Sequence, residues 1–137
     1  MMYEILFKLI LSIICGALIG IERETKKKGA GLQTYSLICF GSCLFSTVAF
    51  YLGELKIIDP SLIIMAVAVG MGFIGAGVIN KREEEIFGLT TAAGLWATSA
   101  LGLAIGAKLY LLALFSTFLI LMIFAGFGLV EQKFFKK

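Results

Sequence analysis

The residues with the most capacity for chemistry form one short run, Glu22-Arg23-Glu24, placed directly after a long apolar stretch. On helical spacing Glu24 continues the small-residue series Ser12, Gly16, Gly20, which turns it toward a packed interior. A charge inside a membrane bundle costs about 2.5–3.5 kcal/mol at the helix centre and less near the interface, so it marks pairing or function. Two readings follow. The cluster is an interfacial ion pair, with Arg82 as a partner, or Glu22 and Glu24 hold a cation or contact a partner at a membrane-edge vestibule. Glu83, Glu84 and Glu85 would add oxygen ligands of the kind that suit Mg²⁺, although a run of adjacent acids is more simply a solvated loop. Asn80, Thr90 and Thr91 bring neutral oxygens to the same region; Thr commonly hydrogen-bonds its own helix, which favours a structural role.

Other chemistry is scarce. The chain has no His, so Ser–His and Cys–His nucleophilic arrangements are excluded and no enzyme activity is expected. Cys39 and Cys43 stand one helical turn apart, but without His or nearby acids they and Cys15 read as small packing residues. No metal ligand set can be named. Trp96 falls well inside an apolar run, as a packing anchor or as an indole that needs a buried acceptor.

The elements that position these residues are membrane spans. Of 137 residues 60% are hydrophobic and 15% charged, against about 45–50% and about 25% in soluble domains. Lipid, not nucleic acid, is the expected environment. Runs of about 20 apolar residues fall at 5–21, 32–52, 61–79, 88–107 and 109–130. A single helix over 88–130 would be about 64 Å long at ~1.5 Å per residue, about twice the hydrocarbon core, so it must fold back near Gly102, Gly106 and Lys108. The expected fold is an all-α bundle of five transmembrane helices, one domain over 1–137, with no soluble C-terminal domain. Glu22–Ala30 reads as a polar hinge, and Asp59-Pro60-Ser61 as a turn and helix start with Ser available to cap.

Five spans place Arg23, Lys26, Lys27, Lys28, Lys81, Arg82, Lys133, Lys136 and Lys137 on one side, and leave Lys8, Lys56 and Lys108 on the other. The positive-inside rule then puts the N-terminus outside and the C-terminus in the cytoplasm. The basic residues follow the first apolar run instead of preceding it, which argues for a retained helix over a cleaved signal peptide.

Small residues predict where helices touch, because lipid gives them little other reason to associate. They dominate 88–106, which should be central, and are sparse in 109–130, which should face lipid. Gly94, Thr98, Gly102 and Gly106 form one four-residue series, Ser12, Gly16 and Gly20 a second, and Ala68, Gly72 and Ala76 a third. Gly70, Gly72, Gly75 and Gly77 are too many for one face. They imply a third helix packed on several sides, or kinked or broken at mid-membrane as in transporters.

Four segments together resemble the MgtC/SapB membrane domain: Gly16-Ala17-Leu18-Ile19-Gly20-Ile21-Glu22-Arg23-Glu24, Ala30-Gly31-Leu32-Gln33-Thr34, Gly70 to Ile79 (GMGFIGAGVI), and Gly88 to Trp96 (GLTTAAGLW). They occur in the family's order over nearly the whole chain. The resemblance implies a bacterial inner-membrane protein tied to magnesium or ion homeostasis, to growth in low magnesium and, in pathogens, to survival inside macrophages. It implies action by binding and regulating another membrane complex, such as ATP synthase or a magnesium transporter. The alternative is an oligomeric transporter or channel for Mg²⁺ or a monovalent cation. Mg²⁺ is the only cofactor it suggests. The chain departs from the family at Gln33 and Phe87, where a basic residue is often found. Helices 2 to 5 lack an ionisable residue at mid-membrane, which a pump normally carries, so regulation is the favoured reading. More small-residue faces exist than one bundle needs, so a homo-oligomer is expected, a dimer first.

Overall fold

A span in lipid must satisfy its own backbone hydrogen bonds, and the apolar runs do so as helices in the computed structural model. The structure describes residues 2–134. The side chains at 131 and 132 lie outside that description, as do Lys136 and Lys137 of the basic tail. In chain order the elements are α1 (Met2–Thr25), α2 (Leu32–Glu54), α3 (Pro60–Val78), β1 (Asn80–Arg82), β2 (Glu85–Phe87), α4 (Leu89–Gly106) and α5 (Tyr110–Met122). A π-helical turn, Ile123–Phe127, then leads into α6 (Gly128–Phe134). Among the described residues five helices are long and apolar enough to cross a membrane, the fifth span running Tyr110–Val130.

Several boundaries differ from expectation. α1 continues through Thr25, so Glu22-Arg23-Glu24 ends a helix and does not open a hinge. The polar link after α3 is a small antiparallel hairpin, with Asn80 opposite Phe87 and Arg82 opposite Glu85. Asp59, not Ser61, caps α3: its Oδ1 accepts from the Ser61 N–H at 2.9 Å, with Pro60 in the first turn. That contact holds the Asp59 carboxyl below the usual carboxylate range. Three helices are followed by a left-handed residue that is not glycine. Lys27, Lys56 and Lys108 each sit in left-handed backbone (φ 51, 56 and 67), at the position of the Schellman turn that glycine usually takes. At the end of α4, for example, Leu109 N–H donates to Ala104 O at 2.9 Å and Lys108 N–H to Ile105 O at 3.0 Å.

The core lies where α2 meets both α1 and α4. A Cβ at Gly16 would stand 2.6 Å from the Tyr35 carbonyl oxygen, and one at Gly20 2.7 Å from Leu32 Cα, so these two let α1 lie against the α2 backbone. Gly102 and Gly106 do the same for α4, the first against Cys39 O and Cys43 N, the second against Ser46 and Cys43 O. Polar contacts fix the register. Ser42 and Ser99 share a hydrogen bond of 2.7 Å, and Ser46 Oγ donates to Leu103 O at 2.9 Å. Lys8, buried within α1, donates from Nζ to Gly106 O at 2.9 Å and so satisfies a carbonyl at the open end of α4. At the same end Lys108 pairs with Glu4 at 2.8 Å, and that hydrogen bond raises the Lys108 pKa.

α4 is the most buried span and α5 lies largely exposed, as the small residues indicate. α3 reverses that rule. It is one continuous helix with only Met71 and Gly75 buried, so the broken-helix expectation fails and so does packing on several sides. Gly75 meets Ala92 at 3.6 Å, whereas Gly70, Gly72 and Gly77 have nothing within 4 Å of an added Cβ. Trp96 is 56% exposed on the outer face of α4 and is neither a buried anchor nor a buried donor.

Candidate functional site

Alternation of the spans brings the end of α1, the end of α3, the hairpin, the start of α4 and the π turn to one end of the bundle. A cavity of about 930 Å³ opens among them. Two left-handed residues shape it. Lys27 turns the chain back at the end of α1, where Lys28 N–H reaches Arg23 O at 3.1 Å, and this sets Lys26, Lys27 and Lys28 on the rim. Gly88, at φ 89, leads the hairpin into α4 so closely that a Cβ there would run into the Val78 carbonyl.

Arg23 forms the floor. It is only 3% exposed, its guanidinium lies 4.1 Å from the centre of the Phe124 ring, and Nη1 bonds Glu22 Oε2 at 3.2 Å. A desolvated cation over an aromatic face gains about 2 kcal/mol. Lys26 bridges the neighbouring groups, pairing with Glu22 Oε1 at 2.6 Å and donating to Phe124 O at 3.1 Å. The π turn that carries Phe124 therefore supplies both a ring and a carbonyl to this wall. Beneath it Tyr35 is fully buried, edge-on to Phe124 with ring centres 6.4 Å apart, and its hydroxyl has no hydrogen-bond partner.

The residues singled out in the sequence separate into three groups. Arg23, Asn80, Thr90 and Thr91 line the cavity, with Thr91 buried and Thr90 exposed. Glu22 stands behind that wall as the counter-ion of Arg23 and Lys26. Glu24 and Arg82 do something else. Glu24 is exposed rather than interior, and its Oε2 accepts from the Leu32 N–H at 3.1 Å, where it caps α2. Arg82 sits exposed on β1 opposite Glu85, so the expected pairing of the α1 cluster with Arg82 is replaced by Lys26. Of the glycines, Gly16, Gly20, Gly102 and Gly106 pack helices. Gly94 packs against Phe124 and Tyr35, and so forms the back of the site.

Lys26, Lys27, Lys28, Phe124 and Tyr35 were not foreseen as site residues. The lysines carried a usable signal, a basic run one turn beyond a buried Arg. Phe124 and Tyr35 carried none, because an aromatic residue in an apolar span is ordinary.

The donor set does not fit Mg²⁺. Among the described residues none of the cavity-lining side chains is a carboxylate. Among the described residues no group of three His, Cys, Asp or Glu side chains comes close enough to hold a metal ion. Arg, three Lys and the start of a helix repel a divalent cation and attract an anion.

Comparison with known proteins adds to this geometry. The MgtC family profile matches residues 9–133. The chain is 44% identical over 132 residues to YhiD of Escherichia coli K12, named provisionally as a magnesium transporter; the match covers 90% of this chain and 60% of YhiD. It is 38% identical to SrpB of Synechococcus elongatus, covering 92% of this chain and 76% of SrpB. It is 33% identical to MgtC of Salmonella typhimurium, covering 88% and 51%. The chain thus spans between half and three quarters of the length of these relatives. No solved structure matches. A profile match over almost the full length, with the glycine contacts and the α1 cluster inside it, makes this multi-pass membrane protein a member of the MgtC family.

Proposed function

We propose that this protein serves magnesium homeostasis at the bacterial inner membrane by binding and regulating another membrane complex, such as ATP synthase or a magnesium transporter. In this reading its N-terminus is outside and the basic cavity faces the cytoplasm, as the Lys and Arg distribution favours. The link to magnesium comes from the name of YhiD. The observation that carries the regulatory role is the uncovered surface of α3 at Gly72. A helix that leaves Gly72 exposed, with nothing of its own chain within 4 Å of an added Cβ, gives up about 0.8–1 kcal/mol of helix propensity there. In lipid such a face is where another helix packs closely.

Gly72→Leu tests this. The side chain points into open space, so the fold should persist while a docking helix is held off. Cells that depend on this protein for growth in low magnesium should lose that growth with the variant present at normal level in the membrane. Full growth with Gly72→Leu would refute the proposal.

A further inference from the structure

We propose that the cavity between Arg23 and the start of α4 binds a phosphate group, carried either by a lipid headgroup or by a soluble phosphate. The inference stands apart from the regulatory reading, since a transporter or a regulator could carry such a site.

Three observations converge. The first is the α4 N-terminus. Its first intrahelical bond is Ala92 N–H to Gly88 O at 2.8 Å, so the N–H groups of Leu89, Thr90 and Thr91 have no carbonyl within the helix, and Gly88 has no side chain to cap them. Gly88 through Thr91 line the cavity, so the positive end of an 18-residue helix opens on it. The second is Arg23. It is almost wholly buried, it lines the cavity, and its Nε has no hydrogen-bond partner. A buried guanidinium N–H without an acceptor is costly, and the missing acceptor is the kind of atom a phosphate oxygen provides in paired geometry. The third is charge. Glu22 is engaged by Arg23 and Lys26. Among the described residues Lys27 and Lys28 have no carboxylate within ion-pair distance, and both line the cavity. Described walls without a carboxylate, a fixed fork, flexible ammonium groups and helix amides together match a multiply charged oxyanion rather than a halide. The cavity sits at the polar end of the spans, where headgroups lie, which is why both sources are open.

The full chain is purified and delipidated in neutral detergent, and thermal unfolding is followed in two titrations. One adds inorganic pyrophosphate against chloride at equal ionic strength. The other adds phosphatidic acid against diacylglycerol with the same acyl chains. Saturable stabilisation by pyrophosphate assigns the site to a soluble phosphate; saturation by phosphatidic acid alone assigns it to a headgroup. In either case the exposed double variant Lys27→Gln/Lys28→Gln should unfold as the parent does without ligand. It should raise the half-saturating concentration at least about tenfold, the loss of charge-assisted bonds from two ammonium groups. Arg23→Gln should do the same if it folds. No saturable effect of either probe, or unchanged binding by the double variant, would overturn the proposal.

Discussion

Replacing Gly102 by Ala sets two effects against each other, and the structure decides which wins. The gain is helix propensity, about 0.8–1 kcal/mol for Gly→Ala inside a helix. The cost is contact. A Cβ at Gly102 would overlap Cys39 O and stand 2.8 Å from Ser42 Cβ and 2.9 Å from Cys43 N. Two of those three atoms are α2 backbone, which cannot rotate away, so α2 and α4 must separate. Overpacking of this kind costs about 1–3 kcal/mol, and separation also strains the Ser42–Ser99 and Ser46–Leu103 hydrogen bonds. The upper half of that range applies, which leaves a net loss of about 1–2 kcal/mol. Gly72→Ala is the matched control: it gains the same propensity and meets nothing within 4 Å, so it should be neutral or stabilising. Reversible unfolding in mixed micelles by increasing SDS reads both. If Gly102→Ala were as stable as the parent, or if Gly72→Ala lost more than Gly102→Ala, the packing account would be wrong.

Other outcomes follow from single contacts. Lys8→Met should lower stability by about 1–3 kcal/mol in the same assay, because the Gly106 carbonyl loses its donor. Stability should fall at both pH extremes, for opposite reasons. The Asp59 carboxyl is lowered by its cap bond, so the cap is intact above about pH 3.9 and lost as pH falls through the lowered value. Lys108 is raised by Glu4, so its contribution is intact below about pH 10.4 and lost as pH rises through the raised value. Asp59→Asn should flatten the acid limb of a stability–pH curve and leave the alkaline limb alone. The uncovered surface of α3 at Gly72 also predicts self-association, with a dimer mass in native mass spectrometry from both detergent and nanodiscs; a monomer in both would refute it.

The spans were legible because hydrophobic length is a one-dimensional property, and the fold-back near Lys108 followed from length alone. The packing series on α1 and α4 were legible too, since Gly at every fourth position marks a close approach whatever its partner. The partner was not. α2 sits between α1 and α4 using Tyr35, Cys39, Ser42, Cys43, Ser46 and Ala49, and a stripe of Ser and Cys looks like neither a glycine series nor an apolar face. α3 misled in the opposite sense: many glycines imply close packing, but they do not say that the partner belongs to the same chain. The lysine-ended helices hid because Lys27, Lys56 and Lys108 occupy a conformation that sequence assigns to Gly or Asn. That concealment reached the site, since Lys27 is what folds the basic run over Arg23. The carboxylates of the α1 cluster drew attention to a cation, yet their geometry spends them on Arg23, Lys26 and the α2 N-terminus, and the cavity is left basic.

The proposed role is a contribution to magnesium homeostasis without conduction of the ion by this chain. The direct measurement is Mg²⁺ entry into liposomes that contain only this protein, followed with a trapped magnesium-sensitive dye under an imposed inside-negative potential. Entry should proceed at the rate of protein-free vesicles. Saturable, protein-dependent entry that rises with the potential would contradict it.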